Sequence, residues 1–394
     1  MPTIFPFRKK FLIFPDPFSA GFPATERLAR ITEVSNMKRS DYPPGLMNPI
    51  QIALTVVCLM IAICSVDAWD SVGHMAVVGL AYDELTETQQ NQLIAILKQH
   101  PRVNFIMEGF PDGNPEDRDF VMAAATWPDL ARQKTDPKKI PAKDLIKDDL
   151  DYEADKPAVV KVDYHDGELH PGWHFIDTPV PGQGGELPPD HPSAPPVNAV
   201  GVVTVLVKQL QSNEEDKERA YDLAWLMHLV GDLHQPLHAV NGIFETLPNG
   251  DRGGNLVFIT GATQNARELH EFWDDVLGRP ANSDTKTHKP RLDKDAAAAD
   301  EVIARVRSLH LPKRNSEDKD PNDWAAESVK LAERDAYDLQ QVEPITIERP
   351  GKEPTDALNT QLDDGYGATA KRDAQKQVRL AGHRLALLLK EVLH

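Results

Sequence analysis

The feature that most constrains this chain is a thirteen-residue stretch near its middle, Leu226-Met-His-Leu-Val-Gly-Asp-Leu-His-Gln-Pro-Leu-His238. His228 and Asp232 are four residues apart, so on a helix of 3.6 residues per turn they project from the same face, as two ligands of one metal site must. Pro236 removes a backbone donor and clashes with the preceding turn, and the resulting bend can return His238 toward that face. The alternative is a core helix whose histidines serve packing alone.

A second stretch repeats this spacing. In Glu268-Leu-His-Glu-Phe-Trp-Asp274, His270 and Asp274 are again four residues apart, while Phe272 and Trp273 predict packing of the helix into a core. One such helix is weak evidence for a metal, but two helices with additional histidines on both sides favour one. Histidines and aspartates without thiolates favour Zn²⁺.

The N-terminus has the pattern of a secretory signal peptide. An apolar run from Ile50 to Cys64 follows Lys38 and Arg39 and precedes small residues at the positions that signal peptidase requires, so we expect cleavage between Ala68 and Trp69. We therefore assign residues 1–36 to an extension of doubtful reality, 37–68 to the signal peptide and 69–394 to one exported domain, periplasmic or secreted. A lipoprotein with Cys64 as its anchor is the alternative, but Ile63 is not the small residue that lipidation needs.

Cleavage at this point has two chemical consequences. Both cysteines, Cys58 and Cys64, lie in the removed segment, so the mature protein forms no disulfide and depends on its core and on metal. Trp69 also acquires a free amine, which is a good nitrogen ligand five residues before His74. Nine candidate ligands result, more than one or two ions need, so we expect about three zinc ions: Trp69, His74, Asp129, His174, His228, Asp232, His238, His270 and Asp274.

Most patterned segments predict helices, so the expected fold class is mainly α. Thr86-Glu-Thr-Gln89 is a capping box, and apolar periodicity predicts helices over 198–212, 214–235, 324–332 and 370–393. The proline-rich segment 178–197 predicts a loop, and Gly250-Asp-Arg-Gly-Gly-Asn255 predicts a tight turn with amides near the site. The polar segments 133–171 and 279–323 predict a solvated excursion and an insertion, respectively, without a functional account.

The formal net charge of the chain is −18, so its surface repels polyanions. Attraction of an anionic substrate must therefore be local, and divalent cations in a cleft would supply it. His174-Phe-Ile-Asp177 adds an aromatic ring and a carboxylate that can accept from a nucleobase or sugar edge. The alternative for this segment is a strand that crosses the core.

These motifs together resemble the S1/P1 family of secreted, zinc-dependent, single-strand-specific nucleases that are also 3′-nucleotidases. The resemblance covers most of 69–394 and rests on motifs in one order: Trp69 to His74, Trp127-Pro-Asp-Leu-Ala-Arg132, His174-Phe-Ile-Asp177, the stretch 228–238, Gly253-Gly-Asn255, the stretch 269–274, Trp324-Ala-Ala-Glu-Ser328 and Ala381-Gly-His-Arg-Leu-Ala386. It implies a single helical domain with a trinuclear zinc cleft.

The resemblance also implies a ligand set for each ion. One zinc takes Asp129, His174 and His228. A second takes the amine and carbonyl of Trp69 with His74, and Asp232 bridges these two ions. The third takes His238, His270 and Asp274.

The implied activity is endonucleolytic hydrolysis of single-stranded DNA and RNA to 5′-phosphorylated products, with 3′-nucleotides as further substrates. Asp129, Arg132 and Asp232 are the implied catalytic residues, and zinc-activated water is the implied nucleophile. Phe175 would stack a base while Asp177 and Asn255 bind the substrate, which requires unpaired bases. We expect a monomer with no membrane contact. The alternatives are a zinc-dependent phospholipase C and a noncatalytic zinc-binding exported protein.

Overall fold

A computed structural model of the chain describes residues 69–134, 170, 172–182, 186–189, 191, 194–195, 197–212, 215–260, 268–278, 291–348 and 354–393. The predicted signal peptide, the extension before it and most of the predicted excursion 133–171 lie outside these residues. The described residues all belong to one compact unit, Val66–His394. None of the helices in these ranges is both long enough and apolar enough to cross a bilayer.

Helices make up most of the described structure, which confirms the mainly α prediction. In chain order they are α1 (Ser71–Tyr82), α2 (Glu87–Leu97), α3 (Val103–Met107), α4 (Asp117–Ala124), α5 (Trp127–Lys134), α6 (Ala199–Leu210), α7 (Asp216–Asp232), α8 (Leu269–Asp274), α9 (Leu292–Val306), α10 (Lys313–Ser316), α11 (Pro321–Leu331) and α12 (Tyr366–Val392). A 3₁₀ turn, Pro236–His238, follows α7, and a π-helical turn, Ala332–Ala336, follows α11.

Helix α7 lies at the centre, and every residue from Ala220 to Asp232 is buried. A helix that is buried on all sides requires neighbours on all sides, and α2, α5, α6 and α12 supply them. Asp216 and Glu218 lie in the first turn of the helix, where their negative charges complement the positive end of the helix dipole. The helix ends at Asp232, earlier than the predicted Gln235, and the chain reverses through the 3₁₀ turn.

Helix α1 is the second central helix, because Val72 to Ala81 are buried between α4, α9 and α12. Its N-terminus is capped by Asp70, whose side chain accepts from the amide of Gly73 at 2.9 Å. Gly382 allows α12 to approach α1 closely, since a Cβ there would lie 2.6 Å from Leu80 Cβ and 3.0 Å from the Val77 carbonyl oxygen. The capping box at Thr86 is formed as predicted.

Two small sheets complete the fold. Strands β1 (Thr178–Pro181) and β2 (Val240–Ile243) pair in parallel, and β5 (Thr355–Gln361) lies between β3 (Val257–Thr260) and β4 (Gln340–Ile347). The prediction of a loop over 178–197 was wrong for β1, because the strand that pairs with it, β2, lies some sixty residues further along the chain. The prediction of an insertion over 279–323 was wrong for α9, because the aliphatic face of this helix packs into the core against α1 despite the charged residues around it.

Candidate metal centre

Eight predicted ligand side chains converge on one buried region, brought there by separate elements. Helix α1 contributes His74, α5 contributes Asp129, and the segment before β1 contributes His174. The remaining ligands come from α7, the 3₁₀ turn and α8. Their atoms form three groups, each with all atoms within 4.8 Å of one another: His74, His228 and Asp232; Asp129, His174 and His228; and His238, His270 and Asp274.

Asp232 stands between the first two groups. Its Oδ1 lies 3.3 Å from Nε2 of His74, whereas its Oδ2 lies 3.1 Å from Nδ1 of His174 and 3.3 Å from Nε2 of His228. Asp129 lies across from it, 3.7 Å from both His174 and His228. A carboxylate whose two oxygens face different histidines has the arrangement that a bridging ligand requires.

The orientation of three histidines fits metal binding. Nδ1 of His228, His238 and His270 lies 2.8, 2.8 and 2.6 Å from the carbonyl oxygens of Ala125, His174 and Gly253. A carbonyl only accepts, so each Nδ1 carries the proton and each Nε2 presents its lone pair to the site. This is how metal-binding histidines are ordinarily held.

The spacing of the donor atoms fits as well. Nε2 of His270 lies 3.0 Å from Nε2 of His238. Ligand atoms about 2.1 Å from a tetrahedral zinc ion lie roughly 3.4 Å from one another, so the observed separation is short enough for a shared ion. Within the described part of the chain, neither ring nitrogen of fully buried His74 makes a hydrogen bond. Burial, and then the neighbouring His228, hold the pKa of His74 well below its usual value, so its ring is neutral and able to bind a metal.

The third group is supported by residues that the sequence interpretation did not single out. The amide nitrogen of Gln235 donates to Asp274 at 2.6 Å, while its oxygen accepts from the amide of Leu237 at 2.6 Å. Gln235 therefore joins Asp274 to the turn that holds His238. In the sequence, Gln235 was marked only by its position before Pro236, in the motif that ends with His238.

Asp251 has a similar role behind His270. It is fully buried and accepts from Tyr337 at 2.8 Å and from the amide of Gly242 at 2.8 Å, and burial raises its pKa to about 6. It fixes the glycine turn whose Gly253 carbonyl holds His270. The turn itself was predicted near the site, but the buried carboxylate inside it was not.

The predicted substrate residues differ in how they are held in the structure. The ring of half-buried Phe175 stacks on His238 with centroids 4.6 Å apart. Asp177 is half-buried with a φ of 54°, and burial raises its pKa to about 6. Asn255 donates to the carbonyl of Arg252 at 2.7 Å and so closes the glycine turn. Arg132 lies in α5, but its side chain is outside the described residues, and its catalytic role stays a prediction.

The first described residue, Trp69, lies close to the ligands. Its side chain is fully buried and packs over the first turn of α1, where a Cβ at Gly73 would lie 2.7 Å from Trp69 Cβ. The amide of the next residue, Asp70, lies 3.4 Å from the carbonyl oxygen of Asp274. The start of the predicted mature chain therefore lies beside the first turn of α1 and the last residue of α8.

Comparisons with known proteins match the chain to a nuclease family and to a protein named as an endonuclease. The family model described as S1/P1 Nuclease matches residues 69–394. A protein named Endonuclease 3 from Arabidopsis thaliana is 30% identical to this chain over 178 residues, which are 42% of this chain and 55% of that protein. In that match the chain spans about half the length of its relative.

Gly231 provides a test of the site. A Cβ at this position would lie 2.7 Å from Nδ1 of His74, closer than real Cβ contacts allow. We expect Gly231→Ala to displace the His74 ring and to remove metal from that group, which elemental analysis of the folded variant would detect. As a control, Gly201→Ala in α6 has its nearest neighbour atom at 4.0 Å and should keep the wild-type metal content. Wild-type metal content in Gly231→Ala would contradict the placement of His74.

Proposed function

The chain belongs to the S1/P1 nuclease family, and from that premise we propose that this nuclease is a zinc-dependent phosphodiesterase for single-stranded nucleic acid. It would cut DNA and RNA endonucleolytically, leave 5′-phosphates and also act on 3′-nucleotides. The observation that carries the proposal is the convergence of three buried His/Asp groups beside the half-buried Phe175. The activity of the Arabidopsis relative is not carried over to this chain, because the match covers only about half of that protein.

The three groups support a content of about three zinc ions. Nitrogen and carboxylate donors without thiolates suit zinc, and the carbonyl partners of the histidines fix the rings with their lone pairs inward. Zinc in such groups lowers the pKa of water and withdraws charge from phosphate oxygens. Asp232, between His74 on one side and His174 and His228 on the other, would bridge two of the ions.

The remaining site residues would position the substrate. Asp129 would complete the group with His174 and His228, and Arg132 would stabilise negative charge on the phosphate. Phe175 would present a ring face to a base, because the residue is only half-buried and its ring is held by stacking on His238. Asp177 and Asn255 would accept from the base edge. A stacked base whose edge is also bound must be unpaired, which accounts for single-strand preference.

The site of action would be outside the cytoplasm. The family match begins at Trp69, the residue that the predicted signal-peptide cleavage makes the first of the mature chain. We propose an exported monomer, periplasmic or secreted, whose amine at Trp69 joins His74 as a ligand. The buried place of Trp69 beside α1 supports this assignment.

A zinc-dependent phospholipase C is the competing function, because its chemistry uses a similar metal centre. The match to a nuclease family favours the nuclease. The deciding experiment offers the zinc-loaded mature protein single-stranded DNA, duplex DNA, RNA, 3′-AMP and phosphatidylcholine side by side, with metal content measured on the same sample. We expect about three zinc ions, loss of activity on chelation, and cleavage of the single strands and 3′-AMP. Cleavage of the lipid alone, or activity with one metal or none, would contradict the proposal.

The stacking role of Phe175 predicts a specific defect. Removal of the ring in Phe175→Ala should weaken substrate binding by about 1 to 3 kcal/mol, because base stacking on an aromatic side chain contributes that much. The effect should appear in KM for single strands, with the zinc content unchanged. Phe175→Trp is the matched control, since it keeps an aromatic face and should bind nearly as well. An unchanged KM in the alanine variant would refute stacking.

Ligation by the amine of Trp69 predicts that activity depends on processing. In the precursor this nitrogen is a peptide amide, which is a very poor ligand. A chain with residues ahead of Trp69 should therefore lack the zinc that Asp232 shares, and activity should fall by orders of magnitude, since zinc-activated water is a far better nucleophile than bulk water.

The measurement compares zinc content and activity before and after removal of an N-terminal tag that leaves Trp69 first. The same tag placed after His394 is the control and should affect neither. Equal activity in the tagged and processed forms, with three zinc ions in each, would show that the amine is a bystander.

A further inference from the structure

The turn between Asp232 and His238 joins two metal groups. Asp232 ends α7 in the group with His74 and His228, and His238 ends the 3₁₀ turn in the group with His270 and Asp274. The conformation of the five residues between them therefore sets how far apart the two groups lie. What fixes this turn also fixes the metal centre.

His234 stands in the middle of the turn but faces away from both groups. It is fully buried, and its Nδ1 lies 2.7 Å from the carbonyl oxygen of Val230, to which it must donate. Its Nε2 lies 2.9 Å from Nη1 of Arg384, from which it must accept. Geometry alone thus assigns His234 a neutral ring with both nitrogens occupied, which excludes it as a metal ligand.

Arg384 is itself held from the opposite side. Its side chain is completely buried, and its Nη2 lies 2.8 Å from Oε2 of Glu327 and 2.8 Å from the carbonyl oxygen of Asn315. The guanidinium carbon lies 5.3 Å from the centre of the Trp324 ring. A planar guanidinium can make these contacts at once, whereas a lysine ammonium cannot. A charge buried at this depth is tolerated because Glu327 balances it.

Two more side chains, one from α11 and one from α12, reach the turn. Ser328 Oγ donates to the carbonyl oxygen of Leu233 at 2.6 Å, and Gln377 Nε2 donates to that of His234 at 3.2 Å. These carbonyls follow the end of α7, where a helix leaves its last acceptors without internal partners. The turn is therefore built against α11 and α12, which contribute none of the predicted ligands.

We propose that Arg384 is a positioning residue of the metal centre, which acts through His234 to set the separation of the groups that contain Asp232 and His238. The inference rests on the proposed function only in that these groups bind metal. It assigns a role to the Trp324-to-Ser328 and Ala381-to-Ala386 motifs, which the ligand set did not explain.

The test measures metal affinity in the processed chain, with no substrate present. The double variant Arg384→Met/Glu327→Gln removes the buried guanidinium charge together with that of its half-buried partner and keeps much of the side-chain volume. We expect it to fold, and to bind zinc about 10- to 100-fold more weakly, as for other residues that orient metal ligands. The visible spectrum of its Co²⁺-substituted form should also change, because ligand geometry determines that spectrum.

Arg379→Met is the matched control, since Arg379 is also in α12 and pairs with Glu84 at 3.1 Å, away from the turn. It should keep the wild-type zinc affinity and Co²⁺ spectrum. Wild-type affinity and spectrum in the double variant, even with a lowered Tm, would overturn the proposal, and so would an equal loss of affinity in Arg379→Met.

A second pair of variants decides the matter if the double variant does not fold. His234→Leu removes both hydrogen bonds, whereas His234→Gln keeps an acceptor for Arg384 and a donor for Val230. We expect weakened zinc binding in the leucine variant and recovery in the glutamine variant, and equal affinity in the two would overturn the proposal. Because no substrate is used, a wild-type chain that binds zinc but cuts no nucleic acid would contradict the proposed function alone.

Discussion

The structure depends on the burial of five imidazoles and three carboxylates in one place. Each carboxylate that leaves water loses solvation worth several kcal/mol unless a positive charge or hydrogen-bond donors replace it. Asp232 is completely buried, and its two carboxylate oxygens lie within 3.3 Å of ring nitrogens of His74, His174 and His228. A metal ion at this point would supply positive charge, so that metal binding and folding would stabilise one another. Such coupling suits a chain whose two cysteines both precede Trp69.

Around these ligands, hydrogen bonds set the geometry. The Nδ1 atoms of His228 and His270 donate to backbone carbonyls, Gln235 joins Asp274 to the turn that holds His238, and Asp251 fixes the glycine turn behind His270. Backbone carbonyls in a packed core are fixed more firmly than side chains, so a ring that donates to one has little freedom. Gly231 also helps to set this geometry, because only a residue without a Cβ leaves room for the His74 ring.

Local spacing predicted part of this site, and tertiary contacts determined the rest. The four-residue spacings of His228 with Asp232 and of His270 with Asp274 are properties of a helix and were visible in the sequence. The spacing around Pro236 predicted a bend without its direction, and only the family resemblance assigned His238 to the group of His270 and Asp274. The structure places His238 with His270 and Asp274, not back beside Asp232. The side chains that contact this turn, those of Ser328, Gln377 and Arg384, lie far along the chain. Helix α9 and strand β1 were missed for the same reason, since their partners are distant in sequence.

The charge of the chain adds a constraint on how such a nuclease meets its substrate. With a formal net charge of −18, the surface as a whole repels a polyanion, so broad contacts to backbone phosphates cannot supply most of the affinity. Under the proposed function, binding would come from a small region that combines metal charge with stacking, and Phe175 lies against the His238 ring at that point. A duplex keeps its base faces covered and would offer such a region only its phosphates, which the rest of the surface repels. An unpaired strand would offer both a phosphate and a base face within a few ångströms, so the acidic surface and the Phe175 ring together would favour single strands.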